Sequence, residues 1–343
     1  MPSTPSTVLI LGARGRFGLA TARAFADAGW RVLAQTRPGA LVPQEAAADA
    51  RLEWLGIDLH HARALTQAAK NATVVVHALN PAYTHKAWHA QVLPMMDHAI
   101  EIARGLQATL MMPGNIYNFG TGMPAMLCED TPQLAKTVKG QIRIGMEARL
   151  QRSGVHGVVI RAGDFFGSGR GTWFDAIIMK NAQKGVFTYP GHREVSTAWA
   201  YLPDLARTFV AVAQKRAQLQ RFDVFHFAGH AVTGQQWLDA LAPLARTQGW
   251  VKPDAHVKFT RLPWGVIRLG AWVNPTWAAL IEMRYLWDTP QGLANDKLNA
   301  LIGPEPHTAL AQALRTALAD MGMINPVASA TLPGVAAYAA AQR

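Results

Sequence analysis

The sequence predicts an α/β protein, a doubly wound parallel sheet joined to a smaller, mostly helical C-terminal substrate subdomain. Three observations carry that expectation. The apolar run Val8, Leu9, Ile10, Leu11 breaks at once into Gly12, Gly15 and Gly18. Short apolar runs then alternate with stretches of helical periodicity as far as residue 161. The last third changes character and gathers Trp264, Trp272, Trp277 and Trp287 into one segment.

The opening reads as strand, tight turn and helix, because Phe17, Ala20, Thr21, Ala24 and Phe25 follow the glycines at helical spacing. Glycines suit a turn in which bare backbone approaches a pyrophosphate resting on a helix N-terminus, where free N–H groups and the helix dipole favour an anion. A glycine-rich turn can also be only a turn; the strand before it and the helix after it supply the context that nucleotide binding needs. Residues 31–36, 52–57, 73–79, 108–112 and 156–161 read as further strands, and 62–70, 85–104 and 132–152 as helices. Near-continuous apolar strands separated by helices imply a parallel sheet covered on both faces. Right-handed crossovers then bring every strand's C-terminal end to one edge, where ligands bind.

Beyond that core, 203–216 reads as helix, 222–227 as strand and 233–247 as helix. Residues 264–287 are long enough to span a bilayer, but Arg268, Asn274, Pro275, Glu282 and Arg284 interrupt them, so a lid or subdomain helix is expected instead, with attachment to a membrane surface the competing reading. The expected division is a nucleotide-binding core over 6–182, completed by 195–230, with a substrate subdomain over 183–194 and 231–322. Residues 323–343 form a tail left unassigned.

The 343 residues are 50% hydrophobic and only 16% charged, a balance that excludes a disordered chain. A formal charge of +11 raises nucleic acid or an acidic membrane face as partners. Lys and Arg are scattered, without basic runs or basic–aromatic arrays, so the reading is a basic surface that attracts a phosphorylated cofactor; no nucleic acid and no integral membrane segment are expected. Cys128 is the single cysteine, which excludes an internal disulfide or a cysteine metal cage. With no export signal in the N-terminal residues, a cytoplasmic location is expected.

Taken in order, these residues resemble the extended short-chain dehydrogenase/reductase superfamily, the NAD(P)-dependent epimerase/dehydratase family with its Rossmann-type core. GARGRFG resembles its GxxGxxG turn, with Arg14, Arg16 and Phe17 between the glycines. Asp58 and Leu59 in GIDL match the acidic segment that meets adenine, and Ala78, Leu79 and Asn80 in HALNP (77–81) match the strand tip beside the cofactor. IRAGDFFGSG (160–169) resembles the segment passing the nicotinamide, through Ala162 and Gly163. WAYLPDLA (199–206) resembles the family's YVxDxA helix start. The resemblance implies a nicotinamide cofactor at these positions and at Pro113 and Arg143.

Cofactor choice follows from charge. Selectivity for NAD usually places a carboxylate at the end of the second strand, to accept from the ribose 2′-hydroxyl. Here that strand ends Gln35, Thr36, Arg37, and a guanidinium pairs with a 2′-phosphate instead, with Arg14 as a second positive charge. NADP(H) is therefore expected over NAD(H), with Arg37 as an ordinary solvated loop residue the competing reading.

The chain departs from the family at its catalytic positions. The resemblance implies a Ser or Thr late in the fifth strand, and a Tyr and Lys on the following helix. Aligned on Glu147, the Tyr position is Lys139 and the Lys position Arg143; Pro113 stands at the serine and Asn115 two residues on. Lys139, Tyr117, Arg143 and Asn115 are the catalytic candidates. Lys139, Arg143 and Glu147 share one helix face, which also suits an exposed charge ladder. His77, His85 and His89 lack the pattern of a metal site, so no metal is expected. Tyr83, Phe165, Arg193 and Trp199 are the candidates for substrate contact. Thr197 stands where nucleotide-sugar enzymes carry an arginine, which points to a smaller or more apolar carbonyl or alcohol substrate. The leading expectation is an NADP(H)-dependent oxidoreductase. A cofactor-binding sensor without catalysis, and an epimerase or dehydratase that recycles its nicotinamide, stand beside it. By resemblance, helices 85–104 and 132–152 would build a homodimer interface.

Overall fold

The computed structural model describes residues 5–325. Seven strands form one parallel sheet: β1 (Thr7–Leu11), β2 (Arg31–Thr36), β3 (Leu52–Gly56), β4 (Ala72–His77), β5 (Thr109–Asn115), β6 (Gly157–Ala162) and β7 (Phe222–His226). Their spatial order is β7-β6-β5-β4-β1-β2-β3. The chain winds outward from β1 in one direction, then returns past it in the other, so β1 and β4 flank a switch point at the sheet's C-terminal edge.

Burial on both faces explains the continuous apolar strands. Leu9, Leu11, Val75, Leu110, Met112 and Val159 face one layer of helices, α2 (Ala62–Ala68), α3 (His85–Leu106) and α4 (Val138–Arg152). Val8, Ile10, Val74, Val76, Met111 and Ile160 face the other, with Phe17 and Phe25 of α1 (Arg16–Asp27) and Leu205 and Phe209 of α5 (Leu202–Gln214). Thr84 and Thr137 cap α3 and α4 by accepting from Ala87 and Gly140 N–H groups. Thr137 is why α4 starts at Val138, where the sequence pattern placed a helix from 132.

Small pieces of sheet extend the core toward the C-terminal region. Ser196–Tyr201 pairs parallel to Asp164–Phe166 and antiparallel to His230–Thr233. Val186–Tyr189 pairs parallel to Lys258–Arg261, and α6 (Gly234–Thr247) packs beside them. The Trp-rich segment is not one helix. It divides into α7 (Trp264–Gly270), α8 (Pro275–Glu282) and a short turn at Tyr285–Asp288, because Asn274 caps a new helix whose first residue is Pro275. Among the described residues, no helix is long and apolar enough to cross a membrane. Most of the C-terminal tail, 326–343, lies outside the described residues.

One buried ion pair locks α4 to the sheet. Arg161 on β6 is bidentate to Glu147 at 2.7 and 3.1 Å, and Asn118 and Gln133 donate to the same carboxylate at 2.9 and 3.2 Å. The two charged side chains are 2% and 6% exposed. Removing one partner of such a pair strands the other charge out of water, so Glu147→Ala is expected to cost about 3–5 kcal/mol in urea unfolding. A change below about 1 kcal/mol, the scale of a surface pair, would mean that water reaches Arg161.

Candidate active site

Two cavities meet at the switch point. A cleft of about 890 Å³ is lined by Gly12, Arg14, Gly15, Gln35, Thr36, Arg37, Asp58, Leu59, Ala78 and Leu79, among others. A second cavity, about 520 Å³, is lined by Tyr83, Trp88, Pro113, Asn115, Tyr117, Arg143, Ala162, Gly163, Asp164, Phe165 and Trp173. Asn80 and Pro81 line both, so the two spaces lie side by side along the sheet edge.

The glycine turn has the form that a dinucleotide requires. Gly12 has φ +79°, and a Cβ there would lie 2.9 Å from the Leu79 side chain and 3.1 Å from the Ala78 carbonyl. At Gly18 a Cβ would lie 2.4 Å from the Gly12 carbonyl, so this glycine lets α1 press against the turn. The N-terminus of α1 has no side-chain cap, which leaves its first N–H groups free for an anion. Gln35 holds the turn in place, accepting from Gly12 N–H at 2.9 Å and donating to the Ile57 carbonyl at 2.8 Å. Arg14 and Arg37 are exposed at the cleft wall.

Two residues expected at the cofactor turn their side chains elsewhere, while their N–H groups stay at the N-terminus of α1. Phe17 is 7% exposed and packs against Phe165 and Phe209 in the core. Arg16 reaches across to the carbonyls of Gly167 and Ser168, tying α1 to the segment that leaves β6.

The catalytic candidates on α4 part company. Arg143 lines the inner cavity, its guanidinium 5.2 Å from the Trp88 ring centre and 3.5 Å from the Pro113 carbonyl. Glu147 is taken by Arg161, so Arg143 has no carboxylate within salt-bridge distance among the described residues, and its Nε has no hydrogen-bond partner. An unpaired guanidinium in a cavity wall is suited to a hydroxyl pair or an anion. Lys139 does not line the cavity. Its fully buried ammonium donates to Glu282 at 2.8 Å and to the Ala279 carbonyl at 3.2 Å, and it lies 4.7 Å from the Tyr83 ring centre. Burial lowers its pKa, with Glu282 opposing; Arg143 is not among the causes. Glu282 also accepts from His85 at 3.0 Å and from the Val138 N–H, so it fastens α8 to α3 and α4.

Among the substrate candidates, Tyr83 and Phe165 line the cavity. Arg193 does not: it donates to Gln235 and stacks 5.1 Å from the Phe259 ring centre. Trp199 is 1% exposed, inside the core formed with Phe166, Phe174 and Trp237. Asn115 stands on the cavity wall, its side chain accepting from Tyr117 N–H at 3.0 Å.

The residue that sequence reasoning passed over is Asp164. It sits in the cavity wall just beyond β6, within the segment already singled out, but nothing in its local sequence distinguishes it. Burial pushes its carboxyl up to about 7, with the Trp287 indole opposing. Its charge reaches two phenols: Tyr117 and Tyr83 are raised well above the usual range by burial, with Asp164 a further cause at each. The surrounding wall is aromatic, Tyr83 packing edge-on against Trp88 and Trp173 at 6.0 and 5.0 Å between ring centres. The arrangement offers one carboxyl that changes protonation near neutrality, two phenols that stay protonated, and one permanent cation.

Residues 8–121 match the family model described as NAD dependent epimerase/dehydratase family. Over this segment, about a third of its length, the chain is similar to that family. Likeness of fold extends further than the matched segment. UDP-galactose 4-epimerase superposes with a TM-score of 0.67 at 16% identity, covering 92% of this chain and 98% of its own. The Bordetella bronchiseptica enzyme WbmH, solved with NAD+, gives 0.68 at 15%, covering 92% and 98%. The UDP-glucuronic acid 4-epimerase of Bacillus cereus, solved with NAD, gives 0.67 at 14%, covering 91% and 96%. At these identities the likeness is one of fold. No curated protein matches the chain.

Proposed function

We propose that this protein is a member of the epimerase/dehydratase family and an NADP(H)-dependent oxidoreductase acting on a small or apolar carbonyl or alcohol. The observation that carries the reading is the adjacency of the two cavities, which share Asn80 and Pro81 in their walls: an uncapped helix N-terminus and bare glycine turn at one end, an ionisable aromatic pocket at the other. The dinucleotide would lie along the sheet edge, with phosphates at Gly12 and Gly15, adenosine beside Asp58 and Leu59, and the far ribose near Arg143, Ala162 and Gly163. When bound, the reduced cofactor supplies a hydride to the carbonyl carbon. Asp164, protonated, gives its proton to the carbonyl oxygen and is left as carboxylate; oxidation of the alcohol runs the same transfer in reverse. Arg143 holds hydroxyls or an anionic group in place, and its guanidinium stays charged throughout. Tyr83, Trp88, Tyr117, Phe165 and Trp173 make the walls apolar, which favours an apolar substrate over a nucleotide sugar.

Arg37 and Arg14 would pair with a 2′-phosphate, and no carboxylate ends β2 to repel one. Arg37→Ala is therefore expected to weaken NADPH binding by about 1.5–3 kcal/mol, on the order of 10–100-fold, and to leave NADH binding unchanged. Calorimetry with each cofactor checks this; equal affinity for the two in the wild type overturns the preference. Turnover against aldehydes, ketones and enones tests the reaction itself. The family match also favours a second reading, an epimerase or dehydratase that regenerates its nicotinamide. Net consumption of NADPH, one per product, separates the oxidoreductase from it.

A further inference from the structure

Helices α7 and α8 form a hairpin with two apolar sides. Its inner side is covered: Trp264, Ile267 and Leu280 cluster with Trp287, and Trp173, Ile177 and Trp277 pack against them. Its outer side is not. Val266, Leu269, Trp272 and Val273 are 58%, 78%, 92% and 87% exposed, and they are four of the seven large apolar side chains left exposed among the described residues. Scattered exposed apolar residues need no explanation, whereas four within eight positions, one of them a tryptophan, form a patch.

The exposure does not come from a loose loop. Trp272 and Val273 lie in a turn closed by Val273 and Asn274 N–H bonds to the Gly270 carbonyl, at 3.1 and 2.9 Å. The Asn274 side chain caps α8 through Thr276 and Trp277 N–H groups, and the Trp277 ring presses so close on Gly270 that a Cβ there would lie 2.2 Å away. The tip is built, and it points its apolar side chains into solvent.

Charge selects the occupant. From residue 255 to residue 281 the only charged side chains are Lys258, Arg261 and Arg268, all exposed, with no Asp or Glu among them. We propose that this tip docks the protein on the surface of an anionic lipid bilayer. Trp272, Val273, Leu269 and Val266 enter the interfacial zone, where an indole is well placed, and the three basic side chains face lipid phosphates. The helices, seven and eight residues long, are far short of the roughly 20 needed to span, so the contact is with the surface alone. A second copy of the chain fits less well, because a two-fold contact through this patch sets Arg268 against Arg268. Thr276, on α8, lines the inner cavity, so the docking hairpin is also part of that cavity's wall.

The proposal goes beyond the redox reading and is tested without substrate or cofactor. The full chain is sedimented with vesicles of phosphatidylcholine alone and of phosphatidylcholine mixed with phosphatidylglycerol. Binding is expected to the mixed vesicles, weakened by salt, and reduced about tenfold or more in a Trp272→Ser, Val273→Ser double variant. Leu134→Ser, which removes an exposed leucine elsewhere, should bind as the wild type does, and matching thermal melts of all three confirm that each is folded. No binding to mixed vesicles, or equal binding by the double variant, overturns the proposal. So does light scattering that shows a wild-type dimer dissociating in the double variant while vesicles bind neither.

Discussion

Replacing Asp164 with Asn is expected to lower kcat for the best carbonyl substrate by about 10²–10⁴-fold, the usual worth of a positioned general acid, while the variant still binds NADPH. Asn keeps the shape and one polar oxygen but has no acidic proton to give. The pH dependence is a second signature. With the carboxyl held at about 7, carbonyl reduction should fall as pH rises through 7, and alcohol oxidation should fall as pH drops through it. Asp164→Asn should lose both limbs. Tyr117→Phe is expected to cost less, because a phenol pushed above its usual range is a weaker acid. Lys139→Met should act on stability, since that ammonium is bound to Glu282 and does not reach the cavity. An Asp164→Asn enzyme with undiminished kcat, or one retaining the limb at 7, would remove this residue from the mechanism.

Mild acid is expected to destabilise the fold by several kcal/mol, through three buried histidines. His77, His226 and His230 are each lowered to about 4, by burial first and then by Arg143, Arg161 and His307 respectively. His226 is fixed in its neutral form by geometry: Nδ1 donates to the Leu127 carbonyl at 3.1 Å while Nε2 accepts from Arg161 at 3.3 Å. Unfolded, each ring takes a proton near 6.5; folded, each resists until about 4. The unfolded chain therefore binds more protons in that window, and stability that is complete above 6.5 drains away as pH falls, by about 3 kcal/mol for each ring. Asp164 works in the opposite direction. Its folded value is raised, so it favours the folded state progressively as pH falls from 7 into the carboxylate range, and it offsets part of the loss. Urea midpoints between pH 7 and 4.5 measure the sum. His226→Gln keeps a donor and an acceptor but does not titrate, so it should flatten the slope. A midpoint that stays constant across this range would contradict the account.

Much of the fold was legible because a parallel strand covered on both faces must be apolar throughout. Residues 31–36 were expected as a strand and are one; 52–57, 73–79, 108–112, 156–161 and 222–227 are strands within a few residues of their expected ends. The turn at Gly12 was legible because its geometry is local, set by a positive φ and by close approaches within a short stretch of chain. The cleft residues Arg14, Arg37, Asp58, Leu59, Ala78, Leu79 and Asn80 come together as expected, since each lies at or just beyond a strand's C-terminal end. In the Trp-rich segment Asn274 and Pro275 were read as interruptions of a single lid or subdomain helix; in the structure they end one helix and start another. Arg193, in a turn, and Trp199, on a strand, were named as substrate contacts, but place in the sequence alone does not say toward which cavity a side chain turns.

The sheet, its switch point and the bare turn where an anion can rest follow from the order of residues along the chain, because they depend on strand burial and on backbone freedom within a few residues. What the side chains beside them do depends on contacts between distant segments. Lys139 and Arg143 share a helix face one turn apart, yet Glu282, 143 residues further along the chain, neutralises the first, and Arg161 takes the glutamate that would have neutralised the second. Asp164 becomes an acid near neutrality only because aromatic residues from distant segments close around it. Periodicity sets the direction in which a side chain leaves its helix or strand; its charge state and partner are set by whatever the rest of the chain brings against it.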